Sequence, residues 1–217
     1  IDENGELHSP YSNEELNKVI EKEYEKLKGN PYYTDFTTYS KPMLFSFLFR
    51  EFHITGVTFL PTTEANINNL QTDSEKPFTF AHEVAHSKGV MREEDANLVA
   101  AYLCLSSDDP YLRYSGYLYT ISSLLDLGNY TGVKDEISAI YSTLPNAYKN
   151  TRNYINAYWA SHRSLSDFAN WWNDLYLKIS GQDKGTESYN DTPIEVDPTK
   201  TAFPLNEKTT FDGFKDA

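Results

Sequence analysis

The chain has a single cysteine, Cys104, in 217 residues. No intrachain disulfide can form, which excludes a cysteine-stapled secreted scaffold. No apolar run reaches the ~18 residues that a membrane-spanning helix needs, and no signal-peptide pattern is present. Positive charge is scarce: 19 Lys and Arg stand against 32 Asp and Glu, for a formal net charge of −13. Such a surface repels nucleic-acid phosphates and anionic lipid headgroups, so no nucleic-acid partner is expected. Internal repeats and low-complexity tracts are also missing, which excludes a solenoid.

Aromatic residues are plentiful, with 17 Tyr and 12 Phe. A chain of this length and content can bury a sizeable core, and disorder is excluded. A single domain over residues 1–192 is expected. Residues 1–11 are polar and read as a linker remnant, and residues 193–217 as a loosely docked tail. The first residue is Ile1, not Met, so an upstream segment is expected.

The chain is organised around Phe80-Ala-His-Glu-Val-Ala-His-Ser-Lys-Gly89. It contains His82-Glu83-Val84-Ala85-His86, an HExxH pattern. Residues four apart lie on one helix face, so two imidazoles can hold one metal ion between them, with zinc the usual partner of neutral nitrogen ligands. Glu83 is placed to take a proton from water as general base, facing an open cleft. Gly89 predicts the helix end. A second helix then starts near Met91 with Glu93, Glu94 and Asp95 in its first turn. Glu93, Ala96, Asn97 and Ala100 share a face. Glu93 is therefore the expected third metal ligand, with Glu94 the alternative, and Asn97 is expected to orient a ligand histidine from behind. One zinc ion per chain is implied.

Elsewhere, Ser12-Asn-Glu-Glu15 is a capping box that opens a helix through about Lys28. Pro42 to Phe52 predicts a strongly apolar core helix, and His53 after it reads as a satisfied helix-end histidine, not a ligand. Val57–Leu60 and Glu64–Asn68 predict two short strands. Asp108-Asp-Pro110 opens a helix through Asp126, on which Arg113 is expected to pair with an acid inside the fold. Further helices are expected over 133–143 and 146–179. The fold class is α+β, mainly helical with a small β-sheet.

HExxH followed by Glu93-x-x-Ala96-Asn97 resembles the gluzincin metallopeptidases. More closely, the chain resembles the domain-of-unknown-function family numbered 3810. The matching stretches are Lys41-Pro-Met-Leu-Phe-Ser46, Thr55-Gly-Val-Thr-Phe-Leu-Pro61 with Glu64-Ala-Asn66, Pro77-Phe-Thr79, Arg92 to Asn97, and Arg113-Tyr-Ser-Gly-Tyr117. This resemblance implies a gluzincin-like fold with His82, His86 and Glu93 on zinc and Glu83 as general base. By the same analogy, Ala65 and Asn66 would lie on an open strand edge that pairs with extended substrate. Asp183 to Tyr189 resembles the segment closing the family domain, which implies Tyr189 as an oxyanion donor. Relatives commonly carry membrane-spanning helices upstream. That implies an extracytoplasmic domain, anchored to a bacterial cell membrane through a segment absent from this chain. The expected activity is zinc-dependent peptide-bond hydrolysis of a peptide or protein substrate. The alternative is an inactive extracytoplasmic binding domain that keeps the same fold.

Overall fold

A computed structural model describes residues 1–29, 35–59, 61–130, 133–162, 174–175 and 178. Tyr189, the tail over 193–217 and most of the helix expected beyond 162 lie outside them.

Helix α1 (Asn13–Glu25) opens on the capping box, with Ser12 and Glu15 bonded reciprocally. Leu16, Ile20 and Tyr24 form its buried stripe, and Leu27 just beyond its end is buried with them. The chain beyond Glu25 tightens into three-residue turns and leaves the helix at Gly29, whose φ is 84°. The polar leader is not a free linker: Leu7 and Tyr11 pack against the main core.

Three strands form one sheet: β1 (Lys41–Pro42), β2 (Gly56–Phe59) and β3 (Glu64–Ile67). Their order is β1-β3-β2, with β3 antiparallel to β2 and parallel to β1. The expected core helix from Pro42 is not what forms. Pro42 belongs to β1, and the helix is short: α2 (Ser46–Glu51) buries no residue. Leu44, Phe45 and Phe47 are exposed, while Met43 and Phe52 at its two ends are buried.

Helices α3 (Lys76–Ser87) and α4 (Glu93–Ser106) carry the centre of the fold. Ala81, Ala85, Ala96 and Ala100 are wholly buried, and side chains this small let helix backbones approach closely. Ala65 and Ile67 of β3 are buried as well. The Tyr24 hydroxyl of α1 donates to the Ala81 carbonyl of α3 at 2.7 Å. Helix α5 (Pro110–Tyr130) packs along α4, where Gly116 permits the approach: a Cβ there would meet the Cys104 Cβ at 2.8 Å. Arg113 of α5 donates to the Ser107 carbonyl at 3.3 Å, and among the described residues it forms no ion pair with an acid. Helices α6 (Lys134–Thr143) and α7 (Asn146–Ala160) join α5 around a second, smaller core of Leu118, Leu125 and Tyr148. The architecture is α+β and mainly helical. Among the described residues no helix is long and apolar enough to cross a membrane.

Candidate functional site

Helix α3 ends in a motif that also sets the site. Gly89 has φ 102° and its N–H bonds the His86 carbonyl, while the Val90 N–H bonds the Ala85 carbonyl. This is the pairing expected when glycine takes the left-handed position after a helix. It turns the Val90 carbonyl back onto His86, which donates from Nδ1 at 2.7 Å. With Nδ1 carrying the proton, Nε2 of the neutral ring presents its lone pair to the site.

The chain then re-enters helix α4 at Glu93. Its carboxylate lies 3.2 Å from His82 Nε2 and 3.5 Å from His86 Nε2, and the two Nε2 atoms lie 3.0 Å apart. Helix geometry thus brings together the three residues expected to hold a metal. Glu94 points elsewhere and pairs with Arg92 on the exposed side. Neighbouring ligand atoms around a four-coordinate zinc with ~2.0–2.1 Å bonds lie about 3.3 Å apart, so the spacing and the donor set fit one such cation. Burial alone would raise the Glu93 carboxyl, but hydrogen bonds and charge from His82 and His86 outweigh it and hold it far below the usual carboxylate range. Burial opposes protonation of His86, yet Glu93 and Glu83 lift its pKa overall.

Glu83 lies at the wall, not in an open cleft, and is 5% exposed. Its carboxylate accepts from the Thr58 hydroxyl of β2 at 2.7 Å. Gly56 makes room for it, since a Cβ at Gly56 would fall 2.4 Å from Glu83 Oε1. Burial is the main reason the Glu83 carboxyl is pushed up; His82, His86 and Thr58 pull it back only in part.

These groups line one cleft of 610 Å³, together with Gly56 and Val57 of β2, Phe78 and Thr79 of α3, Tyr119 of α5 and Ile155 of α7. Phe78 stacks on Tyr119 at 3.6 Å between centroids. Two expectations are not met here. Ala65 and Asn66 sit in β3, the middle strand, whose two sides are taken by β1 and β2. Among the described residues, the edge strand that reaches the cleft is β2. Asn97 lines the cleft without orienting His82, whose buried Nδ1 has no hydrogen-bond partner among the described residues. Tyr189 lies outside the described residues. His53 lines the same cleft and lies against Trp159 at 5.3 Å, and it is not one of the three converging donors.

Val90, Thr58 and Gly56 are contributors that the sequence reading missed. Gly89 already marked the turn that aims the Val90 carbonyl. Nothing local to Thr58 or Gly56 shows that β2 lies against Glu83.

Fold and site together define a mainly helical α+β protein with a His-His-Glu cluster beside a buried glutamate. The profile of DUF3810, described as a protein of unknown function, matches residues 1–194, and the chain belongs to that family. No curated protein and no solved structure matches it.

Proposed function

We propose that this chain is a zinc-dependent peptide hydrolase of gluzincin type. The observation that carries the reading is the convergence of three ligand-type atoms, 3.0 to 3.5 Å apart, beside a carboxylate that is not one of them. Bound there, a zinc ion would polarise a carbonyl and acidify water. His82, His86 and Glu93 would hold it. Val90 fixes His86 in the ligating tautomer. Glu83, held by Thr58 and cleared by Gly56, takes a proton from the attacking water and delivers it to the departing amine. The edge of β2 is positioned to pair main chain to main chain with an extended substrate. In this reading the domain works outside a bacterial cell membrane, anchored by an upstream segment, on a peptide or protein partner.

The test has two readouts on the same protein. Protein purified without a metal column should contain about one zinc per chain. A peptide library digested by wild type and by Glu83→Gln, read by mass spectrometry, should show cleavage that falls by ~10²–10⁴ in the variant while zinc stays bound. Protein that neither contains nor takes up zinc overturns the reading. Cleavage that is equal in the variant assigns the activity to a contaminant.

A further inference from the structure

The cleft extends along α3 from the donor cluster to the start of the helix. Glu75, Phe78, Thr79, His82, Glu83 and His86 all line it, at the three- and four-residue spacing of a single helix face. Glu75 precedes His82 by seven residues, an axial rise of ~10.5 Å. Its two carboxylate oxygens accept from the Trp159 indole N–H of α7 at 3.1 and 3.0 Å, and one of them also accepts from the Thr72 hydroxyl at 2.5 Å. Both donors are neutral. No Lys, Arg or His among the described residues forms an ion pair with Glu75, although buried carboxylates are as a rule paired. Burial pushes its carboxyl above the ordinary range, with Thr72 and Trp159 opposing only in part.

The charge of the cleft points the same way. Its described lining holds four carboxylates, on Glu75, Glu83, Glu93 and Asp126, against one guanidinium, on Arg152, and three imidazoles, on His53, His82 and His86, none of which forms an ion pair with Glu75. Arg152 is already bound to Asp126 at 2.7 Å. A cation among His82, His86 and Glu93 would answer Glu93 and Glu83. Glu75 is left facing the cleft without a counter-charge among the described residues.

We propose that Glu75 is a specificity-determining residue that receives a cationic nitrogen of the substrate. This rests on the hydrolase reading for the reaction, though not for the binding. At ~3.3 Å per residue of extended peptide, the cation would sit about three residues from the bond to be cut. A lysine or arginine side chain and a free amino terminus offer the same chemistry. Trp159 and Thr72 hold the carboxylate at the cleft wall, so little ordering is needed on binding.

The experiment measures binding to zinc-loaded Glu83→Gln protein, which separates it from turnover. Amino-acetylated decapeptides carrying lysine at each position in turn are compared with norleucine counterparts of the same length. A third set carries norleucine and a free amino terminus. Lysine should be preferred by at least about tenfold, ~1.4 kcal/mol, at one or two adjacent positions. The preference should fall to near one when Glu75→Gln is added. If the third set alone shows the preference, the cation is the amino terminus. Trp159→Phe removes a neutral donor and leaves the charge, so it should keep the preference; a purely structural Glu75–Trp159 brace predicts loss in both variants. That variant also decides the matter should Glu75→Gln fail to fold. A ratio near one in the protein with Glu75 intact, a ratio unchanged by Glu75→Gln, or no binding by any peptide overturns the inference. Cleavage without lysine preference overturns it and leaves the hydrolase reading standing. Lysine-selective binding by protein that takes up no zinc does the reverse.

Discussion

Helix α2 reads Ser-Phe-Leu-Phe-Arg-Glu and is as rich in large apolar side chains as α3, which reads Lys-Pro-Phe-Thr-Phe-Ala-His-Glu-Val-Ala-His-Ser. Yet α3 buries ten of its twelve residues and α2 buries none. The difference lies in the small residues. Ala81 and Ala85 leave hollows on α3, and α4 brings Ala96 and Ala100 against the same core. Close approach then buries every larger side chain between them. Helix α2 has phenylalanines and leucine with no small neighbours, and it is only six residues long. Apolar content states what gains from burial. The presence of alanine or glycine decides which partner can come near enough to provide it.

The largest effect that would break this comparison is on stability. Phe80 is 1% exposed, and Phe80→Ala should cost ~3–5 kcal/mol, as large-to-small core changes do. Phe47 is 59% exposed, and Phe47→Ala should stay within ~0.5 kcal/mol. Urea unfolding monitored by circular dichroism measures both. Similar losses at the two sites would mean that α2 is covered in the folded protein.

A somewhat smaller effect sharpens the comparison where α3 meets α4. Glu93→Ala should weaken zinc binding by more than ~100-fold, since even outer partners of a metal site are worth 10–100-fold. Glu94→Ala should leave it nearly unchanged, because Glu94 faces Arg92 on the exposed side. Competition with a chromophoric chelator measures each. Equal effects would mean that α4 is rotated by about 100°, which brings the next residue round to the histidines.

The same contrast explains what could be read from the sequence. The α1 capping box, both longer strands and helices α3 to α6 follow from signals within a few residues of each element. The donor cluster was legible because its members are tied by helix period and by one glycine turn. Long-range arrangement was not. Strand β3 became central because Lys41 and Pro42 extend beside it, and a two-residue pairing leaves no periodic trace. That is why Ala65 and Asn66 looked like an edge. Thr58 bears on the cleft through Glu83, 25 residues away in sequence, and Glu75 is held at the cleft wall by Trp159, 84 residues away. No local pattern announces such contacts.

The smallest effect compares two glutamates. Glu51 on α2 pairs with its neighbour Arg50 at 3.2 Å, and Glu51→Gln should shift Tm by less than the ~1–2 °C of a surface change. Glu75 before α3 has only neutral donors among the described residues, and burial raises its pKa from the ordinary 4.5. The folded state therefore holds that proton more tightly than the unfolded chain does. Stability is higher with the proton on, and falls as pH rises from 4.5 through the folded value. Gln cannot ionise, so Glu75→Gln removes this part of the pH dependence. At pH 7 the variant should melt about 2–4 °C higher than wild type, the size of a ~1 kcal/mol change in a chain of this length, with the gap closing toward pH 4. Thermal melts at a series of pH values measure it. A gap independent of pH would assign the change to lost hydrogen bonds with Trp159 and Thr72. A variant that gains stability at neutral pH while losing its preference for lysine would mark Glu75 as a charge kept in the cleft for its ligand, at the expense of the fold.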